Sequence, residues 1–145
     1  MITINQYIKL IKDFCNVHEQ IHTVTTENEF NFNAESNILY PVANIDFVTQ
    51  NIKDDTTVHQ FEIIIADIFD PNLPESELEI YNDCNLIADD IVTYFANQYE
   101  ADYLINESVN LQKFTNGNVD RVAGVVMVIS FSQFREANAC IIPTK

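Results

Sequence analysis

The residues with the clearest chemical signature are His18, Glu19 and His22, which match the pattern HExxH. On a helix, two histidines spaced in this way lie one turn apart and can share a zinc ion, while the glutamate acts as general base. The apolar spacing predicts an amphipathic helix from about Thr3 to about Val24, so the motif falls within that helix. A small zinc metallopeptidase is therefore one hypothesis for this chain.

Two features argue against a zinc site. A catalytic zinc needs a third protein ligand and an open coordination position, and the only other histidine, His59, lies in a strand-like pattern. The predicted helix also ends close to the motif, because the threonine-rich residues 23–26 are poor helix formers. We interpret the HExxH match as coincidental, with His18 packed on the sheet and His22 near the helix C-terminus. We accordingly predict no catalytic residue, no metal and no cofactor.

The other reactive side chains suggest no chemistry. No nucleophile elbow, P-loop or dinucleotide-binding motif occurs, and two glycines are too few for a phosphate-binding loop. Cys15, Cys84 and Cys140 are far apart and form no CxxC pair, which argues against a disulfide framework or a zinc knuckle. Cys15 and Cys84 follow apolar helical patterns and are predicted to be small buried hydrophobes. We therefore expect a protein that is not an enzyme.

Charge is the most informative bulk property. The chain has 22 acidic and 7 basic residues, a formal net charge of −15, and no Lys or Arg between Lys53 and Lys113. Such a chain cannot neutralise a phosphate backbone, and an anionic membrane surface would repel it. Acidity by itself mostly indicates solubility. Two further explanations stay open. DNA must pass the protein without sticking, or the protein imitates DNA and inhibits a nucleic-acid-binding protein.

The length of 145 residues and the hydrophobic content of 47% indicate a single domain, residues 1–145, with its own core. No apolar segment approaches eighteen residues, so we expect no membrane-spanning helix. The N-terminus lacks a basic lead followed by an apolar block, so we expect no secretion signal. The chain is predicted to stay in the reducing cytoplasm where it is made.

Hydrophobic periodicity predicts the elements that follow the first helix. Strict alternation around Phe30 and Phe32 indicates a half-buried strand or an extended arm at residues 29–34. The later patterns predict strands at residues 38–49 and 58–68, a helix at residues 76–99, and strands at residues 103–114 and 122–134. Ser76 and Glu79 are predicted to form a capping box at the start of the second helix.

These elements predict an α+β fold in the order α-β-β-β-α-β-β. Two helices should pack on one face of a mostly antiparallel sheet of about five strands. The last strand is apolar on both faces around residues 125–129, so it should lie in the middle of the sheet.

Several segments together resemble a known family. In chain order they are the first helix ending in HEQI (residues 18–21), an extended acidic segment, a strand start at Tyr40-Pro41, the strand of residues 61–67 running into a break at residues 67–70, the helix of residues 76–99, the VAGV strand of residues 122–125, and a terminal CIIP segment. This order resembles small neck and tail-completion proteins of tailed bacteriophages, of the Bacteroidetes and crAss-like phage type. The resemblance covers nearly the whole chain.

The resemblance implies a structural virion protein without an active site. It implies a ring of six or twelve copies, acting as head–tail connector or tail terminator, that joins portal or tail components around the DNA channel. The implied partners are other copies of the chain and other neck, tail and portal proteins, with DNA passing through unbound and no membrane involved. The protein would be made in the host bacterial cytoplasm and end in the neck or tail of the virion.

The residues themselves favour such a ring in two ways. A wall rich in Asp and Glu repels phosphates, and the repulsion grows with copy number. The segment containing Phe30 and Phe32 and the apolar tail containing Ile141 and Ile142 are candidate arms that dock on a neighbouring subunit. The alternative is that both segments complete the sheet of their own chain.

Overall fold

The computed structural model describes residues 1–26, 38–116, 121–136 and 139–144. Within these ranges the chain forms α1 (Ile4–Val17), β1 (Thr23–Thr25), β2 (Val42–Ile52), β3 (Thr56–Ile68), α2 (Ser76–Ala96), β4 (Tyr103–Ile105), β5 (Leu111–Asn116), β6 (Val122–Phe134) and a short 3₁₀ helix at Ala139–Ile141. The predicted α+β class is confirmed. The predicted arm with Phe30 and Phe32 lies outside the described residues.

The six strands form one mixed sheet in the order β1-β2-β3-β6-β4, and β5 also pairs with β6. The β1–β2 pair is parallel and the other pairs are antiparallel, so the predicted, mostly antiparallel sheet is confirmed. Strand β6 pairs with β3 along its whole length and with β4 and β5 on its other side. The strand that is apolar on both faces therefore lies inside the sheet, as predicted.

Helix α1 starts where the sequence predicts but ends seven residues earlier, at Val17 rather than Val24. His18 adopts an extended conformation with φ −73° and ψ 126°, and its N–H donates to the carbonyls of Phe14 and Cys15. The β-branched residues Thr23–Thr25 instead form β1 beside Val42–Asn44 of β2. Pairing with a distant strand satisfies their backbone groups without the side-chain entropy that a helix would cost them.

The capping box predicted at Ser76 and Glu79 is wrong. Glu75 occupies the N-cap of α2 without a side-chain cap, and the Ser76 hydroxyl instead accepts from the N–H of Asp70 at 2.9 Å. The turn between β3 and α2 thus uses the side chain that was expected to cap the helix. A capping box does occur in α1, where Thr3 and Gln6 satisfy each other's backbone N–H groups.

The strand predicted over residues 103–114 is two strands. Strand β4 pairs with residues 131–133 of β6, and β5 pairs with residues 122–127 of the same strand. Asn106 follows the last residue of β4. Its N–H donates to the Ser130 carbonyl at 3.1 Å, and its side-chain oxygen accepts from the Ser130 N–H at 3.0 Å. One continuous periodicity therefore spans two short strands along β6.

Both helices pack on the same face of the sheet. We call this the covered face. It carries the odd-numbered residues of β3 and β6, namely Phe61, Ile63, Ile65, Met127, Ile129 and Phe131, which are fully buried under side chains of α1 and α2. Cys15 and Cys84 are buried in this core, as predicted. Burial raises the pKa of the Cys15 thiol to about 12, so it stays protonated and unreactive.

Candidate functional site

The histidine motif does not lie on a helix. His18 follows the last residue of α1, and its Nε2 lies 2.8 Å from Asp90 Oδ2 on α2. Its Nδ1 accepts from the N–H of Gln20 at 3.2 Å, so the ring proton is on Nε2 and points to Asp90 when the ring is neutral. His18 thus links the end of α1 to α2.

His22 lies in the irregular segment before β1, where its backbone N–H donates to the carbonyl of Pro41 at 2.9 Å. The helical spacing that would place both histidines on one zinc ion is therefore not present, and the prediction of a helical HExxH is wrong. Across residues 1–26, 38–116, 121–136 and 139–144, no three His, Cys, Asp or Glu side chains are grouped in a way that could hold a metal ion.

A second polar feature lies inside the core. The hydroxyl of Tyr7 and Nδ1 of His59 are buried without a hydrogen-bond partner in the described part of the chain, and their rings are 5.1 Å apart. Burial, with a smaller contribution from Tyr103, raises the pKa of Tyr7 to about 12. Burial lowers the pKa of His59. Both groups are held neutral between α1 and the sheet, away from solvent, so they affect stability rather than chemistry.

The sheet face opposite the helices, here called the open face, is unlike the covered face. A small cluster of Val42, Ala66 and Val122, packed by Ile38 and Tyr40 among others, protects one end of it. Ile64, next along β3, packs against this cluster and is partly exposed. Further along β6, Val126 is partly exposed and Val128 is exposed. Exposed apolar surface of this kind commonly marks an interaction site.

The far end of the open face continues into a groove of about 570 Å³. It lies where β6 ends beside the N-terminus and β4. Its lining residues are Met1, Ile2, Thr56, Ala101, Asp102, Tyr103, Leu104, Ser132, Gln133 and Phe134. We call it the terminal groove. Three of its large apolar side chains are strongly exposed, at 81% for Met1, 74% for Leu104 and 85% for Phe134.

The tail, defined here as residues 139–144, carries the two predicted interface residues that the structure describes. Ile141 is 69% exposed and Ile142 is 58% exposed. No described tail residue lines the terminal groove. The tail therefore does not bury its isoleucines in the sheet of its own chain, which was the alternative interpretation of this segment. The structure leaves both the tail and the groove accessible to another molecule.

Sequence reasoning missed the groove. It predicted one strand over residues 103–114 and gave no role to Leu104, whose side chain lies on the opposite face from those of Tyr103 and Ile105. The available signal was an apolar residue at a position where alternation calls for a polar one. Phe134 offered the same signal at the end of β6, because the covered face takes the odd-numbered residues.

Neither helix in the described ranges is long and apolar enough to cross a bilayer. The fold and the groove define a class: a small α+β domain with two helices on one face of a mixed sheet and an exposed groove with apolar side chains at the sheet end. No protein-family model matches the sequence, and no curated protein matches it significantly. The functional argument therefore rests on this chain's own surfaces.

Proposed function

We propose that this chain is a structural subunit that assembles with copies of itself into a closed ring in the neck or tail of a tailed phage. The ring would act as head–tail connector or tail terminator and would carry no catalytic site. The observation that carries the proposal is the pair of accessible apolar surfaces, the terminal groove and the tail, on a chain of net charge −15. An apolar surface that an isolated chain leaves in water is stabilised by burial against a partner.

The charge distribution supports a ring around DNA. Fourteen of the 22 acidic residues lie between Lys53 and Lys113. Helix α2 alone carries five of them and no basic residue, and Asp83, Asp89 and Asp90 are exposed on it. Repeated around a ring, this surface repels phosphates instead of binding them. DNA could then move through the ring without being held.

The place in the virion rests on the resemblance to neck and tail-completion proteins. That resemblance suggests six or twelve copies, with portal, neck and tail proteins as neighbours, in a particle assembled in the host bacterial cytoplasm. The surfaces described above fit such a role because a ring subunit must contact copies of itself and leave its channel wall polar. A symmetric ring repeats one contact around a rotation axis.

Two measurements test the proposal. Light scattering and native mass spectrometry on the purified protein should give a discrete mass of six or twelve chains. Because some ring subunits assemble only on their neighbours, the protein should also be sought in purified particles by mass spectrometry and located in a particle reconstruction. A chain that is monomeric in solution and absent from particles would contradict the proposal.

The same preparation separates the ring from the DNA-mimic hypothesis. A ring subunit should neither retain duplex DNA at physiological salt nor bind basic nucleic-acid enzymes tightly. A monomer that captures a basic nuclease or repressor from host lysate with one-to-one stoichiometry would favour the inhibitor instead.

A further inference from the structure

We infer that the tail of one subunit docks into the terminal groove of the next copy. This inference rests on the proposed ring function and names the contact that closes the ring. It joins two surfaces that lie at different places on the chain, each exposed and each apolar.

The groove is suited to a short apolar segment. Leu104, Phe134 and Met1 supply its large apolar surface, and their side chains have little cover from their own chain. Strand β4, which carries Leu104, is the last strand in the sheet order, so its outer edge faces no other strand of the described sheet. A docking segment can therefore contact apolar side chains and also pair with backbone groups at that edge.

The tail has the matching composition. Residues 139–143 are Ala, Cys, Ile, Ile and Pro, and the only charged side chain from residue 139 onward is Lys145. Among the described residues, the only acidic or basic side chain that lines the groove is that of Asp102. The tail as defined, residues 139–144, has no charged side chain, so it can enter an apolar groove that contains one carboxylate without charge repulsion. The rest of the chain's excess of carboxylates does not enter this contact.

A second copy is the occupant that these observations favour. Within one chain, Ile141 and Ile142 stay exposed and line no part of the groove. The contact is also head-to-tail, because one partner offers its tail and the other its groove. Head-to-tail contacts generate closed rings when the rotation between neighbours closes, as the proposed function requires.

Cross-linking between two differently substituted chains tests this directly. One chain carries Asp102→Cys together with Cys140→Ser, and the other is the native chain with its exposed Cys140. The chains are mixed at a concentration where light scattering shows oligomers, and a mild thiol oxidant is added. We expect a disulfide-linked heterodimer between the groove position and Cys140. The other two cysteines, Cys15 and Cys84, are buried and should not react.

The matched control chain keeps Asp102 and carries Asn82→Cys, on the exposed surface of α2, together with Cys140→Ser. It should give no heterodimer above the level of random collision. A heterodimer that forms equally well at both positions overturns the inference. A chain with Asp102→Cys and native Cys140 that closes a disulfide only within itself overturns it too, because the tail then occupies its own groove.

Substitutions in the native chain give an independent reading. Ile141→Asp with Ile142→Asp, and separately Leu104→Asp, should each raise the dissociation constant of the oligomer at least about tenfold, since each loses buried apolar contact. Circular dichroism should be unchanged because these side chains are exposed. Leu86→Asp, an exposed leucine on α2, is the control and should leave the dissociation constant unchanged. Oligomers that survive the tail and groove changes would overturn the inference.

The outcomes for the two proposals are distinguishable. If a ring is found in particles but no tail-to-groove cross-link forms, the inference is contradicted and the proposed function stands. A chain that is monomeric at every concentration also removes the inference, and the presence of the chain in particles then decides the function by itself.

Discussion

The two faces of the sheet carry similar apolar side chains but differ in how far these side chains are exposed to solvent. On β6, Phe131 points to the covered face and is 0% exposed, whereas Phe134 lies three residues later and is 85% exposed. The difference comes from the helices, which cover one face only. Residue type therefore does not decide burial in this strand. The comparison teaches that apolar residues on the covered face hold the fold together, whereas those toward the far end of the open face remain exposed to solvent.

The largest expected effect compares the two phenylalanines directly. Phe131→Ala should lower the free energy of unfolding by about 3–5 kcal/mol, because it leaves a cavity among packed aromatic rings. Phe134→Ala should change it by less than about 0.5 kcal/mol, since the side chain is already in water. Urea unfolding of both variants as monomers measures the contrast. Equal losses for the two substitutions would show that the faces do not differ in this way.

Gly124 lies on the open face, but a substitution there should destabilise the protein as a substitution in the core does. It pairs with Ala66 across β3 and β6. A Cβ added at Gly124 would overlap the carbonyl oxygen of Ile65 and lie 2.8 Å from Cα of Ala66. Gly124→Ala should therefore cost about 1–3 kcal/mol or more, because backbone must move. Ser130→Ala, further along the same face, is the matched control and should be close to neutral in the same unfolding experiment.

A pH series tests the buried polar pair of the covered face. Burial lowers the pKa of His59. At a pH between the folded-state and unfolded-state pKa values, the unfolded chain therefore binds a proton at His59 that the folded chain does not bind. The stability tied to neutral His59 is therefore complete above the ordinary histidine pKa of about 6.5. It is lost as the pH falls toward the lowered folded-state value, by at most about 1.4 kcal/mol per pH unit.

His59→Phe removes this titration while keeping a flat ring in the same place. Between pH 7.5 and 5.5 the native chain should lose more stability than the variant, as measured by chemical unfolding at each pH. Parallel curves for the two proteins would mean that His59 does not titrate on unfolding in this range.

The smallest expected effect concerns charge on the open face. Asp46 lies directly opposite Glu62 in the β2–β3 pairing. Like charges opposite each other destabilise a sheet, so Asp46→Asn should raise the free energy of unfolding by about 0.2–1 kcal/mol. The gain should shrink in high salt because these side chains are only partly buried. A loss of stability at low salt would show that the carboxylate makes a favourable contact.

Much of the fold follows from local pattern. The alternation of Phe61, Ile63 and Ile65 places β3, and the apolar spacing of Cys84, Ile87 and Ile91 places α2, because strand and helix repeats are properties of neighbouring residues. The start of α2 at Ser76 and the bounds of β6 were predicted correctly for the same reason. The charge that argues against DNA binding is also a property of composition alone.

Tertiary structure decided the rest. Helix α1 ends at Val17, and residues 23–25 pair with residues 42–44 instead of extending it, a contact that no local window contains. That early end takes His18 and His22 off the helix on which their zinc-binding spacing depends. The terminal groove joins Met1, Leu104 and Phe134, which are far apart in sequence. Local sequence specifies which residues favour burial, but only the arrangement of distant strands and helices determines which of them remain exposed.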